Sequence, residues 1–195
     1  MLRRVLAWVG AILAGVVLGC ASAWGALEFG RSSFFEEYGA WRHSRATGSA
    51  AAGPYTRAII ARDGLLALSA REALYFTIHQ DDQGAALDET CTYELAGRAF
   101  AARWWSVTLY AADNYLAQNE DFAASIDASH VSAGADGRWR ARISTVRGDA
   151  IYWLSSRNAR RNFSLTLRVY NPQRDFTATV DTLPTLTRIS CLGEP

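Results

Sequence analysis

Phe163-Ser164-Leu165-Thr166-Leu167-Arg168-Val169-Tyr170 alternates apolar and polar residues along its whole length. Successive strand side chains point to opposite faces, so a period of two sets Phe163, Leu165, Leu167 and Val169 on one side and Ser164, Thr166, Arg168 and Tyr170 on the other. The pattern recurs through the chain. Leu74, Phe76 and Ile78 share a face in 73–79, Cys91, Tyr93 and Leu95 in 90–95, and Trp105, Val107 and Leu109 in 103–110. In 138–143, Trp139, Ala141 and Ile143 alternate against three arginines, and a last strand near 186–191 ends at Cys191.

Between these runs, Asp81-Asp82-Gln83-Gly84 and Ala135-Asp136-Gly137 supply turn chemistry, with glycines suited to the positive φ of tight connections. Pro54 fits the first position of a short helix reaching about Asp63, with Ile59 and Ile60 buried and Gly64 as its stop. Short strands with one wet face each, and little helix after Gly64, predict an all-β domain over 54–195. The expected architecture is an antiparallel, jelly-roll-like β-sandwich with that helix at one end.

Ahead of this domain, Val5 to Leu27 carries no charge and follows Arg3 and Arg4. As a helix it reaches roughly 34 Å, enough for a bilayer core of about 30 Å. The arginines on its N-terminal side predict a cytoplasmic N-terminus and an exported remainder, with Trp8 and Trp24 at the interfaces. Three fates fit the segment. Its length favours an uncleaved anchor over residues 1–27, Ala21-Ser22-Ala23 resembles a signal-peptidase site with cleavage after Ala23, and Val17-Leu18-Gly19-Cys20 resembles a lipobox with acylation at Cys20. Each leads to the same compartment, periplasmic or extracytoplasmic at the inner membrane. Residues 28–53, ending in a Gly/Ser/Ala-rich run, read as a linker outside the core.

The 20 basic residues are all arginine and stand against 19 acids, a formal charge of +1 that gives no support to nucleic-acid binding. Beyond the apolar segment only Cys91 and Cys191 remain, which in an oxidising compartment predicts one disulfide closing a long loop. Two buried thiols are the alternative. His43, His79 and His130 are scattered, so no metal site and no cofactor are expected. His79 beside Asp81 and Asp82 has the composition of a general base, yet turn-forming aspartates explain it more simply. No Ser lies in a G-x-S-x-G elbow, and 19 acids mark no particular carboxylate pair for glycosidase chemistry.

The constellation with binding character is the polar face of two strands. Arg103, Trp104, Ser106, Thr108 and Tyr110 project from one, and Ser164, Thr166, Arg168 and Tyr170 from the other. As neighbours they would form a floor whose aromatic faces stack on a sugar and whose guanidinium forks grip an anion. The bland alternative is an ordinary exposed sheet face rich in Thr, Ser and Arg, with Trp104 packed under the 111–135 loop. Asn114, Asn119 and Glu120 are candidates for its rim.

Several segments carry a family resemblance: Pro54-Tyr55-Thr56-Arg57, Arg71 to Phe76, Asp81-Asp82 with Gly84, Leu87-Asp88, Cys91-Thr92-Tyr93, Ala102 to Tyr110 and Phe163 to Pro172. In this order they resemble the bacterial domain-of-unknown-function 1214 family across about 54–191. The resemblance implies a β-sandwich, here in a stand-alone, membrane-anchored form, and no established activity or catalytic residue. Where the family's pattern has an Asn-Trp-Leu-Pro turn, this chain reads Tyr152-Trp153-Leu154-Ser155, without the stiffening proline. The expectation is a binding or envelope-associated module whose partner is a glycan, a small molecule or a protein. An envelope hydrolase acting on a glycan or lipid-like substrate is the alternative, and the sequence does not decide whether the chain is an enzyme.

Overall fold

A computed structural model describes residues 1–29, 35–44, 47–49, 51–62 and 68–193. Helix α1 spans Leu2–Phe29, and its apolar side chains are exposed from Leu2 to Leu18. It is long and apolar enough to cross a membrane, as a signal or an anchor. Helix α2 spans Pro54–Arg62, with proline at its first position, where a missing N–H costs nothing. Ile60 is only half-buried, because α2 lies beside α1 rather than on the sandwich core. Asp63 and Gly64, the expected end of α2, lie outside the described residues.

Among the described residues ten strands follow one another: β1 (Glu36–Tyr38), β2 (Trp41–His43), β3 (Ala73–Ile78), β4 (Cys91–Gly97), β5 (Ala102–Tyr110), β6 (Ser125–Asp127), β7 (Trp139–Ser144), β8 (Trp153–Ser155), β9 (Ser164–Pro172) and β10 (Thr185–Cys191). They form a six-stranded sheet, β1-β2-β3-β9-β5-β6, and a four-stranded sheet, β10-β4-β7-β8. All pairings are antiparallel except β7 with β8, which run parallel. Prolines sit where a ladder tolerates them, Pro172 closing β9 and Pro184 just ahead of β10.

The two sheets face each other across one core, built from the alternating residues expected to point inward. Phe76, Tyr93, Leu95, Val107, Leu109, Ile143, Phe163, Leu165, Leu167 and Val169 are all buried. Full burial of such a side chain contributes roughly 1.5–3 kcal/mol. The sheets are bridged by Trp105 of β5 and Trp139 of β7, whose rings stack with centroids 4.7 Å apart. Gly97 of β4 is the register partner of Trp139, and a Cβ there would lie 2.4 Å from the indole. The missing side chain is what lets the ring lie flat against β4.

Two local features differ from the sequence reading, and two expected turns form. The stretch read as a linker contains β1 and β2, and Trp41 is buried with its Nε1 donating to the Pro184 carbonyl at 2.6 Å. Strands of three residues are too short to show a period, so the core extends where composition alone implied a tether. The Trp153-Leu154-Ser155 segment is a strand rather than a turn, and the Ser155 hydroxyl donates to Asp121 Oδ2 at 2.6 Å. That hydrogen bond fixes the segment without a proline. The expected turns at Gly84 and Gly137 form with φ of 80° and 70°.

Cys91 and Cys191 are register partners at the ends of β4 and β10 and form a disulfide. The register shifts between Arg188 and Ser190, a bulge that pushes Ile189 out to solvent.

Candidate functional site

The outer face of the six-stranded sheet brings the polar residues of β5 and β9 together, since these strands pair directly. Register sets Trp104 opposite Tyr170, Ser106 opposite Arg168, Thr108 opposite Thr166 and Tyr110 opposite Ser164. β3 and β6 extend the rows, giving Tyr75, Arg168, Ser106 and Asp127 as one line across four strands. A second line runs through Thr77, Thr166, Thr108 and Ser125.

Arg168 is the centre of this face. Its guanidinium donates from Nη1 to Thr108 Oγ1 at 3.2 Å and from Nη2 to the Tyr110 hydroxyl at 2.6 Å. It also lies 5.4 Å from the centroid of the Tyr110 ring and 6.0 Å from that of Tyr75. Rings at these distances attract the cation through their negative faces. Among the described residues no carboxylate pairs with Arg168; its neighbours are neutral oxygens and π-faces. The charge is half-buried, held in one geometry and not neutralised, which is the arrangement a bound anion completes.

Beside it, Trp104 and Tyr170 pack with centroids 5.3 Å apart, and Trp104 Nε1 donates to Ser129 Oγ at 2.9 Å. Ser129 belongs to a turn after β6 that also carries a His–Asp pair. Its backbone N–H donates to Asp127 Oδ1 at 2.7 Å, and His130 Nδ1 lies 2.9 Å from Asp127 Oδ2. Burial pushes the Asp127 carboxyl up, but the hydrogen bonds from His130 and Ser129 outweigh it and hold it below its ordinary range. Asp127 therefore stays ionised into acid, and the contribution of its charge is lost as pH falls through that lowered value.

The other candidates from the sequence lie elsewhere. Strand alternation sets Arg103 on the Trp105 side of β5, exposed at the strand's start, so it is not part of the floor. Asn119 Nδ2 donates to the Arg157 carbonyl at 2.8 Å, which turns it toward the β8 end of the molecule. Asn114, in a turn with φ of 67°, and exposed Glu120 follow the same loop. Asp81 Oδ1 accepts the N–H groups of Gln83 and Ala85 and so holds the turn, and Asp82 accepts from Thr187 Oγ1, which ties the turn to β10. Among the described residues no group of three His, Cys, Asp or Glu could hold a metal.

Sequence reasoning missed Tyr75, Asp127, Ser129 and His130. Tyr75 alternates to the polar side of β3 between the apolar Leu74 and Phe76, and as an aromatic residue it carries no polar signal of its own. The Asp-x-x-His spacing over 127–130, straight after a strand, was the available signal.

The profile of a family described as "Protein of unknown function (DUF1214)" matches residues 72–174. The chain belongs to this family. The DUF1214 match includes β3 through β9 and so contains every residue of the Arg168 face. Among solved structures, the VPA0106 protein from Vibrio parahaemolyticus is similar in fold. Its TM-score is 0.58 at 23% identity, over 72% of this chain and 36% of that one. A putative uncharacterized protein from Burkholderia cenocepacia aligns at 18% identity and a TM-score of 0.45, over 64% of this chain and 31% of that one. This chain thus spans about a third of the length of those proteins. No curated protein matches it.

Proposed function

We infer that this DUF1214 protein is a single-pass inner-membrane protein, anchored by α1, whose jelly-roll-like sandwich acts in the periplasm or extracytoplasmic space as a binding module. Its ligand floor is the half-exposed part of the outer face of β5 and β9, formed by Trp104, Thr108, Tyr110, Arg168 and Tyr170 around the buried Ser106, Ser164 and Thr166, and the ligand is a small anion, with an acidic saccharide the best fit. The observation that carries this reading is the half-buried Arg168 guanidinium, fixed by Thr108 and Tyr110 and lacking a carboxylate partner among the described residues. Trp104 and Tyr170 supply faces on which a sugar ring stacks.

Calorimetric titration of the full chain in lipid nanodiscs with oligoglucuronate, and with neutral oligoglucose as control, tests the reading. Arg168→Gln is expected to weaken oligoglucuronate binding by about 10- to 100-fold, the range for losing a charge-assisted hydrogen bond. Binding of the acidic and neutral sugars with equal affinity, or an unaffected variant, would sink it.

The Asp127–His130 pair favours a second reading, an envelope hydrolase in which Asp127 orients the His130 imidazole as general base toward a substrate on the same face. His130→Ala separates the two: a binding module keeps its affinity and shows no turnover in either form, whereas a hydrolase loses turnover.

A further inference from the structure

The opposite face of the sandwich, the outer side of the four-stranded sheet, holds a groove of about 960 Å³. That is within the size range of small-molecule sites. Its two ends differ in chemistry. At the end of β7 and β10, four large aliphatic side chains line it and are left in solvent: Val146 at 67% exposure, Ile151 at 78%, Ile189 at 61% and Leu192 at 79%. Val146 and Ile151 come from the loop between β7 and β8, and Ile189 is the residue extruded by the β10 bulge. Single exposed aliphatics are ordinary on a protein surface, whereas four around one groove mark a site that takes apolar matter.

At the start of β7 the groove is cationic. Arg138 and Arg140 line it, and Arg98 approaches from the end of β4, where its Nη1 lies 3.5 Å from the site of a Cβ on Gly137. Arg140 is paired with Asp136 at 2.5 Å and reaches Glu94 at 3.8 Å. Arg98 and Arg138 have no ion-pair partner among the described residues, which leaves this end with excess positive charge. From Arg138 to Ser144 the strand rises roughly 20 Å, which separates the two ends by the length of an extended acyl chain.

We propose that this groove binds a single-chain amphiphile with an anionic head, such as a long-chain fatty acid, its chain between Val146, Ile151, Ile189 and Leu192 and its carboxylate at Arg98 and Arg138. The floor between them carries Thr92, Glu94 and Arg142, the last ion-paired with Asp149, and the excess positive charge at the Arg98–Arg138 end matches a molecule with an anionic head. With α1 in a bilayer, the chain from Phe29 to Glu36 reaches at most roughly 25 Å, so the domain stays beside the lipid source.

The test uses the full chain in phosphatidylcholine nanodiscs with a diazirine-bearing palmitate, cross-linked by light and mapped by peptide mass spectrometry. Adducts are expected within 145–152 and 189–192, displaced by palmitate and about tenfold less effectively by uncharged palmitamide. Ile151→Asp and Leu192→Asp are expected to abolish these adducts without lowering the melting temperature. The charge reversal Arg98→Glu with Arg138→Glu should reduce displacement by palmitate to the level of palmitamide. If the aspartate variants melt early, the charge-reversal comparison decides. Adducts confined to residues 2–29, adducts unchanged in well-folded aspartate variants, or equal displacement by the acid and the amide would each overturn the proposal.

Discussion

Replacing Cys91 and Cys191 with serine is expected to lower the stability of the domain by about 4–5 kcal/mol, read by urea unfolding in detergent. The bond spans 100 residues, and a loop of that size carries a large closure entropy in the unfolded chain. Its place in the fold adds a local reason. Among the described residues β10 is an edge strand whose ladder partner is β4, and its register is already broken at Ile189. Without the bond, the end of β10 is held by Leu192 N–H donating to the Thr90 carbonyl and by Arg188 reaching Asp81 at 3.6 Å. For a domain of this size the loss corresponds to roughly 10–20 °C in melting temperature. A change below about 1 kcal/mol would mean that the unfolded chain is already compact near these residues. The same cost in a reducing cytosol favours an exported location for the domain.

The legible part of the fold was the part with a long enough period. Six residues or more of alternation, as in β3, β4, β5, β7 and β9, fixed both the existence of each strand and the side that faces the core. β1, β2, β6 and β8 are three residues each and carry no such signal, so Trp41 entered the core unannounced. The floor behaved in the same way. Alternation picked out Trp104, Ser106, Thr108, Tyr110, Arg168 and Tyr170, but adjacency is a property of sheet order, and only the β5–β9 pairing turned two strand faces into one surface. Arg103 follows its alternation partner Trp105 to the other face and not its sequence neighbour Trp104. The groove on the other sheet was illegible for a different reason. Val146, Ile151, Ile189 and Leu192 belong to a loop, a bulge and a strand end, none of which has a period to read.

The two proposed sites lie back to back on one core, which couples them to its packing rather than to each other. Trp139→Ala tests that support and is expected to cost about 3–5 kcal/mol, the range for deleting a buried aromatic side chain. Trp139 is 3% exposed, stacks on Trp105 across the sheets, and donates from Nε1 to the Arg98 carbonyl at 3.0 Å. Its removal therefore opens a cavity between the sheets and releases the backbone of a residue at the cationic end of the groove. Gly97, which seats the indole flat against β4, has no side chain to fill the space. A double-mutant cycle with Trp105→Ala should return a coupling of about 0.5–1.5 kcal/mol for the stacked pair. If Trp139→Ala is folded but loses palmitate displacement while keeping oligoglucuronate affinity, the indole supports the groove through Arg98. Loss of both in proportion to stability assigns it to the core alone.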